Sequence, residues 1–326
     1  MQLTLELDIP KLSPAIQYTD GILLIGSCFT ENMSERLVQH KFKVLSNPHG
    51  ILFNPLSVAY SLDSYVYDKR YVKEDLFYLN ELYNSWDHHT RFSDVNANKA
   101  LENINSSQQA AARFIREAKW IVITLGSAFQ YYLVDGNRPV ANNHRAPSQW
   151  FEKRLLDIST IETALSNSLD KIIAINPGVQ FLFTISPVRH IRDGVVDNNR
   201  SKSRLIESVH YICSQYPQAH YFPAYELIID ILRDYRYYDI DFVHPNFLAT
   251  SFVWEQLVKA GMDAPTQQLM KEVRQISIAR EHRSRFPETE AHKRFLSSHA
   301  QKVKELQQQY PFLDLDEELV YFSASL

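Results

Sequence analysis

The segment Gly21-Ile22-Leu23-Leu24-Ile25-Gly26-Ser27-Cys28-Phe29-Thr30-Glu31-Asn32 constrains the fold of this chain more than any other. Ile22 to Ile25 is apolar on both faces, which suits the buried centre of a parallel sheet covered by helices on either side. The run breaks at Gly26, and Thr30 to His40 then places Met33, Leu37 and Val38 at helical spacing. Ligands of such sheets bind beyond the carboxyl ends of the strands, where a helix start offers its backbone N–H groups to an anion. Ser27 and Cys28, two potential nucleophiles, stand at that edge.

A second segment, Asp239-Ile240-Asp241-Phe242-Val243-His244-Pro245-Asn246, supplies a base. In Asp241-x-x-His244 the carboxylate can accept from one ring nitrogen and fix the tautomer. The other nitrogen is then left to take a proton from a nucleophile. Nucleophile and oriented imidazole together point to acyl transfer.

Further strands are expected at Trp120 to Leu125, Phe181 to Ile185 and His220 to Phe222, with Lys43 to Leu45 as another. Helices are expected between them: from Asn54-Pro55 through Tyr67, Asn96 to Lys119, Ser159 to Ile175, Ser201 to Tyr216 and Asn246 to Ala260. This alternation predicts an α/β fold with a parallel sheet covered on both faces. Gln130 to Val140, with Asp135-Gly136-Asn137 at its middle, reads as an inserted β-hairpin overhanging the site. From Thr266 to Gln309 the chain is polar and helix-prone, with Leu269, Val273, Ile276 and Ile278 as a sparse stripe and Pro287 breaking it. This divides the chain into a catalytic domain, 1–264, and a C-terminal helical extension of two helices, 265–326. The stripe either packs on its own domain or forms a homodimer contact.

On Gly26-Ser27-Cys28-Phe29 and the Asp-x-x-His-Pro-Asn block, the chain resembles the GSCFA family of the SGNH (GDSL-like) hydrolase superfamily, over roughly residues 20 to 260. Thr30 stands where the family name has alanine. The resemblance implies a three-layer α/β/α sheet in flavodoxin-like order and hydrolysis or transfer of an acyl group from an ester or thioester. Catalysis would use Cys28 or Ser27, His244 and Asp241. Laying Gly-Asp-Ser over Gly26-Ser27-Cys28 puts Cys28 on the nucleophile, while a serine nucleophile beside a space-filling cysteine remains the alternative. A thiol at that helix start is expected to have a depressed pKa.

Asn47-Pro48-His49-Gly50 resembles the superfamily's second block, which gives Gly50 an oxyanion role. The third block, Gly-x-Asn-Asp, falls on Gly126-Ser127-Ala128-Phe129, without asparagine. Asn54, Asn143 or Ser127 could replace the missing donor. Thr184 to His190 resembles the family's fourth strand end, where Arg189 and His190 could recognise a carboxylate or phosphate or serve as structural partners. His89, Arg91 and His144 lie in polar loop clusters that either bind substrate or satisfy one another.

Composition narrows the alternatives. The 326 residues are 45% hydrophobic with a formal net charge of -4, enough for a core and without the basic footprint of a nucleic-acid binder. Two cysteines, Cys28 and Cys213, make no disulfide framework. The acidic N-terminal stretch is not a signal peptide, and no segment approaches membrane-span length, which predicts a cytoplasmic enzyme. The histidines fit no zinc spacing, so neither a metal nor another cofactor is expected. Substrates in keeping with the chemistry are small-molecule, glycan or lipid acyl esters. The runner-up is a carbohydrate- or peptide-binding protein on a hydrolase scaffold, suggested by Ala128 in place of asparagine.

Overall fold

A computed structural model describes residues 5–323. Five parallel strands form its central sheet: β1 (Gly21–Gly26), β2 (Lys43–Ser46), β3 (Trp120–Leu125), β4 (Gln180–Ile185) and β5 (Ala219–Tyr221). Their spatial order is β2-β1-β3-β4-β5. This is the flavodoxin-like order, in which the chain runs outward from β1 in one direction and then in the other, leaving a crevice at the carboxyl ends of β1 and β3.

Alternate β1 side chains feed two cores, as the two-residue period of a strand requires. Ile22 and Leu24 pack with Phe29, Met33 and Leu37 of α1 (Cys28–Gln39), whereas Leu23 and Ile25 pack with Val58 and Leu62 of α2 (Pro55–Val66). The second face is completed by α3 (Ala97–Phe114), α4 (Ile158–Ile175) and α5 (Val195–Gln215), and the first by α6 (Phe247–Gly261). The layers are therefore helix, sheet, helix. Most of these helices start where sequence chemistry says they should: Ser27, Asn54, Asn96, Asp157 and Asn246 each accept a first-turn N–H, a cap commonly worth about 1 kcal/mol.

Two helix expectations shift. The helix expected to reach Lys119 ends at Phe114, because the chain turns so that the Lys119 amide can join the sheet at Gly21 O, 2.9 Å away. The helix expected from Ser201 begins at Val195, after Gly194 at φ +84° and with no side-chain cap to announce it. The hairpin is present as Phe129–Leu133 paired antiparallel with Pro139–Val140, and Phe151–Leu155 adds a third strand to it. A second hairpin, Leu76–Leu79 with Leu82–Ser85, turns through Asn80 and Glu81, both at positive φ. Its turn lacks the glycine that marks such hairpins in sequence.

Past residue 264 the chain forms three helices rather than two: α7 (Ala264–Glu281), α8 (Glu290–Gln309) and α9 (Asp316–Ser323), with Pro287 in the link between the first pair. Leu269, Val273 and Ile276 join the core of α1 and α6, whereas Ile278 faces outward. The buried Glu318 carboxylate meets Lys41 at 2.9 Å and Arg280 at 2.7 Å. Among the described residues, no helix is long and apolar enough to cross a membrane.

Candidate active site

The two adjacent nucleophile types do different things. Ser27 is buried and caps α1, its Oγ accepting the Phe29 N–H at 3.3 Å. Cys28 is the first residue of α1 and half-buried, at the carboxyl end of β1. Burial pushes the Cys28 thiol up, the nearby Phe29 N–H draws it down, Glu31 one turn along raises it, and Lys202 lowers it. The net direction is upward, so the depressed pKa expected of a thiol at a helix start does not hold. Desolvation of the thiolate outweighs the helix terminus and the cation.

Asp241 and His244 form the expected dyad. His244 Nδ1 lies 2.7 Å from Asp241 Oδ2, while Asp241 Oδ1 accepts the Val243 amide at 2.9 Å and the His244 amide at 3.0 Å. These bonds, led by the imidazole, hold the Asp241 carboxyl down at about 2. The turn that makes them puts Phe242 at φ +56° and returns the Asp239 amide to His244 O at 2.8 Å. Two tethers bring the dyad to the sheet. The Arg189 amide beyond β4 donates to Val243 O at 3.2 Å, and Arg36 of α1 reaches Ser251 Oγ of α6 at 2.8 Å. The Arg189 guanidinium stacks over Tyr238, 4.3 Å from the ring centre, and makes no ion pair among the described residues.

The glycines have structural work. Gly50 sits at φ +84° with its amide donating to Asn47 O at 2.7 Å, and a β-carbon there would stand 2.1 Å from His89 Cβ. Its N–H is thus occupied by the turn and is not free to hold an oxyanion. Gly126 and Ser127 both donate to Phe53 O, at 2.7 and 3.2 Å, and Ser127 Oγ accepts the Phe129 amide at 3.2 Å. The third-block amides are likewise committed. Asn54 spends its Oδ1 on the Ser57 amide at 2.9 Å, which leaves its side-chain NH2. Cys28 N–H, as the first amide of a helix, has no intrahelical acceptor.

The loop candidates separate. His89 lies over Gly50, and Arg91 bonds Asn47 O and approaches Glu31 of α1 at 3.7 Å, so both stand beside the first turn of α1. His144 is buried with Nε2 2.8 Å from Ser85 O and its ring against Phe77 and Trp86, a packing position in the hairpin layer. Asn143 Oδ1 accepts the Arg145 amide at 3.3 Å and is exposed. His190 does reach the crevice: its ring packs on Phe53 at 5.1 Å and beside Gly126. Burial, then the charge of Lys202, drives His190 down to about 4, and His244 acts on it in the same sense.

Sequence reasoning missed two groups. Asn47 is buried at φ +45°, and its Oδ1 takes the Gly26 amide at 2.9 Å, holding the end of β1. Lys202 on α5 is buried with Nζ 2.6 Å from both Gly126 O and Ser186 O. Its signal was positional: Asn198, Ser201, Lys202, Leu205, Val209 and Ile212 share the buried face of α5, where a lysine is out of place.

In comparison with known proteins, the model described as "GSCFA family" matches residues 21–257, and that described as "GSCFA domain protein, C-terminal domain" matches residues 273–326. No curated protein matches the chain.

Proposed function

The chain belongs to the GSCFA family, and from its site we propose an acyl hydrolase or acyltransferase of the SGNH type, acting on an ester or thioester. The observation that carries this is the 2.7 Å contact between His244 Nδ1 and an Asp241 carboxylate pinned by two amides. Such a carboxylate fixes the tautomer and leaves Nε2 as the basic nitrogen.

Cys28 is the nucleophile in this reading, because Ser27 Oγ is buried and already accepts a helix amide. A thiol held protonated by burial needs a base, and His244 Nε2 takes its proton as sulfur attacks the carbonyl carbon. The carbonyl π pair moves to oxygen, where the Cys28 N–H and the Asn54 side-chain NH2 receive it. One such donor is commonly worth about 3 to 4 kcal/mol. Collapse expels the leaving group with the proton from His244, and water or an acceptor alcohol, deprotonated by His244, then releases the acyl group. Ile240, Phe242, Phe247 and Leu248, all exposed around the dyad, offer an acyl chain an apolar wall.

The test is labelling and turnover with an activated acyl ester or thioester series. Cys28→Ala and His244→Ala should abolish both acyl-enzyme formation and turnover, Cys28→Ser should keep weak ester cleavage, and Ser27→Ala should lose mainly helix stability. Full activity in Cys28→Ala with a dead Ser27→Ala would reverse the assignment. Absence of acyl-enzyme across the series would favour a binding protein on this scaffold.

A further inference from the structure

The half-buried Arg189 guanidinium carries five N–H donors and meets no oxygen acceptor among the described residues. Its neighbours are two rings: its central carbon lies 4.3 Å from the centre of Tyr238 and 5.4 Å from that of Tyr235. Cation–π contact holds a guanidinium in place without supplying an acceptor for its N–H groups. This arginine lines a cavity of about 320 Å³ that it shares with Asp230, Arg233, Asp234, Tyr235 and Tyr238.

Arg233 is exposed, and among the described residues its side chain has no acceptor either. It ends a π-helical turn, Leu227–Leu232, in the left-handed conformation at φ +39°, with its amide bonded to Ile228 O at 3.1 Å. Both features are uncommon and concentrate at functional sites. The acids of the cavity do not cancel the two cations. Asp234 is taken up by Arg236, whose Nε and a terminal nitrogen reach its two oxygens at 3.0 and 3.1 Å. Asp230 is then the one uncommitted carboxylate set against two arginines, and the cavity keeps a positive balance. Its wall is also bonded to the residues on either side of His244: the Arg189 amide donates to Val243 O at 3.2 Å, and Tyr238 pairs with Pro245.

We propose that this cavity is an anion subsite beside the dyad, in which Arg189, steadied by Tyr235 and Tyr238 and assisted by Arg233, binds a carboxylate or phosphate group carried by the substrate. The planar fork of a guanidinium matches two oxygens of either group. The inference rests on the acyl-transfer reading for what becomes of the bound molecule, but not for the binding itself. It narrows the substrate class to esters or thioesters that bear a negative charge near the acyl bond.

The first experiment follows the assigned Arg189 Nε–Hε resonance of the unaltered protein by NMR while adipate or inorganic phosphate is added. A saturable shift beyond that given by chloride at equal ionic strength is expected with at least one of them, and the one that acts tells carboxylate from phosphate. No such shift with either overturns the proposal. The second compares kcat/KM for matched 4-nitrophenyl and phenyl ester series that carry a carboxylate, a phosphonate or no charge, on the acyl or the leaving-group side. Arg189→Met, which keeps an apolar contact with the two rings, should lower the preference for a charged over a neutral ester by about tenfold or more. Arg189→Lys should keep part of it. Equal losses on charged and neutral esters mean that Arg189 only supports the dyad turn, and this too overturns the proposal. Should Arg189→Met fail to fold, the titration of the unaltered protein decides. If the wild type turns over no ester, the acyl-transfer reading fails while the titration still tests this one.

Discussion

Mild acid should destabilise this protein before most of its carboxylates titrate, because burial keeps two of its histidines from accepting protons in the native state until about pH 4. His49 is fully buried with Nε2 2.8 Å from Gln108 Oε1, and burial lowers it from 6.5 to about 4. His190 falls from 6.5 to about 4 for the same reason, with Lys202 adding to the effect. A folded pKa below the unfolded value means that the unfolded chain binds the extra proton. The stability is therefore complete above the unfolded value and is lost as pH falls toward the folded one. For each group, integrating between pH 7 and pH 5 gives a loss of about 2 kcal/mol, and about 4 kcal/mol for the pair. His88, fully buried and also pushed down by desolvation, adds in the same direction. Against a typical total of roughly 5 to 15 kcal/mol this is a large fraction. Urea unfolding at a series of pH values, extrapolated to water, measures it, and histidine NMR assigns the protons. A fall of less than about 1 kcal/mol between pH 7 and pH 5, or imidazole resonances of His49 and His190 that titrate in the folded protein above pH 5, would refute the reasoning.

Asp241→Asn should leave the fold intact and lower turnover of any ester that the protein cleaves by about 10³- to 10⁴-fold, since the amide would hold His244 in the wrong tautomer; near wild-type turnover removes Asp241 from the mechanism. Gly26→Ala should destabilise the site end of the sheet, because a β-carbon there would lie 2.3 Å from Thr124 O, a backbone atom of the neighbouring strand, in a backbone with φ +153°. Denaturant unfolding should show a loss of about 2 kcal/mol or more, and an unchanged midpoint would mean that β1 and β3 separate more readily than their pairing suggests.

The central layer was legible because its signals are local. Four apolar residues between glycines define β1, and the alternation of strands with amphipathic helices leaves few topologies, of which the 2-1-3-4-5 order is one. What escaped was fixed by partners distant in sequence. The Leu76–Ser85 hairpin turns on Asn80 and Glu81 at positive φ, a conformation that glutamate rarely advertises. The start of α5 has no cap, and a helix that starts at a bare glycine is visible only once Asn198 is seen to hold the His190 amide at 2.9 Å.

The site divides along the same line. Asp241 and His244 are three residues apart, so one turn decides their contact and the sequence displays it. Ser27 and Cys28 were visible as a pair but not as roles, since the choice depends on which side chain the helix start consumes. Ser27 takes the capping position, which for a serine is favourable in itself, and the neighbouring thiol is left at the crevice. The charge environment of that thiol was the least legible part. Glu31 is one turn away and could be counted, but Lys202 lies 174 positions further along the chain and reaches the crevice only because α5 packs against the carboxyl ends of β3 and β4. The helix start favours the thiolate, as the distant cation does, but burial and then Glu31 oppose it and prevail, which is why the expected direction reversed.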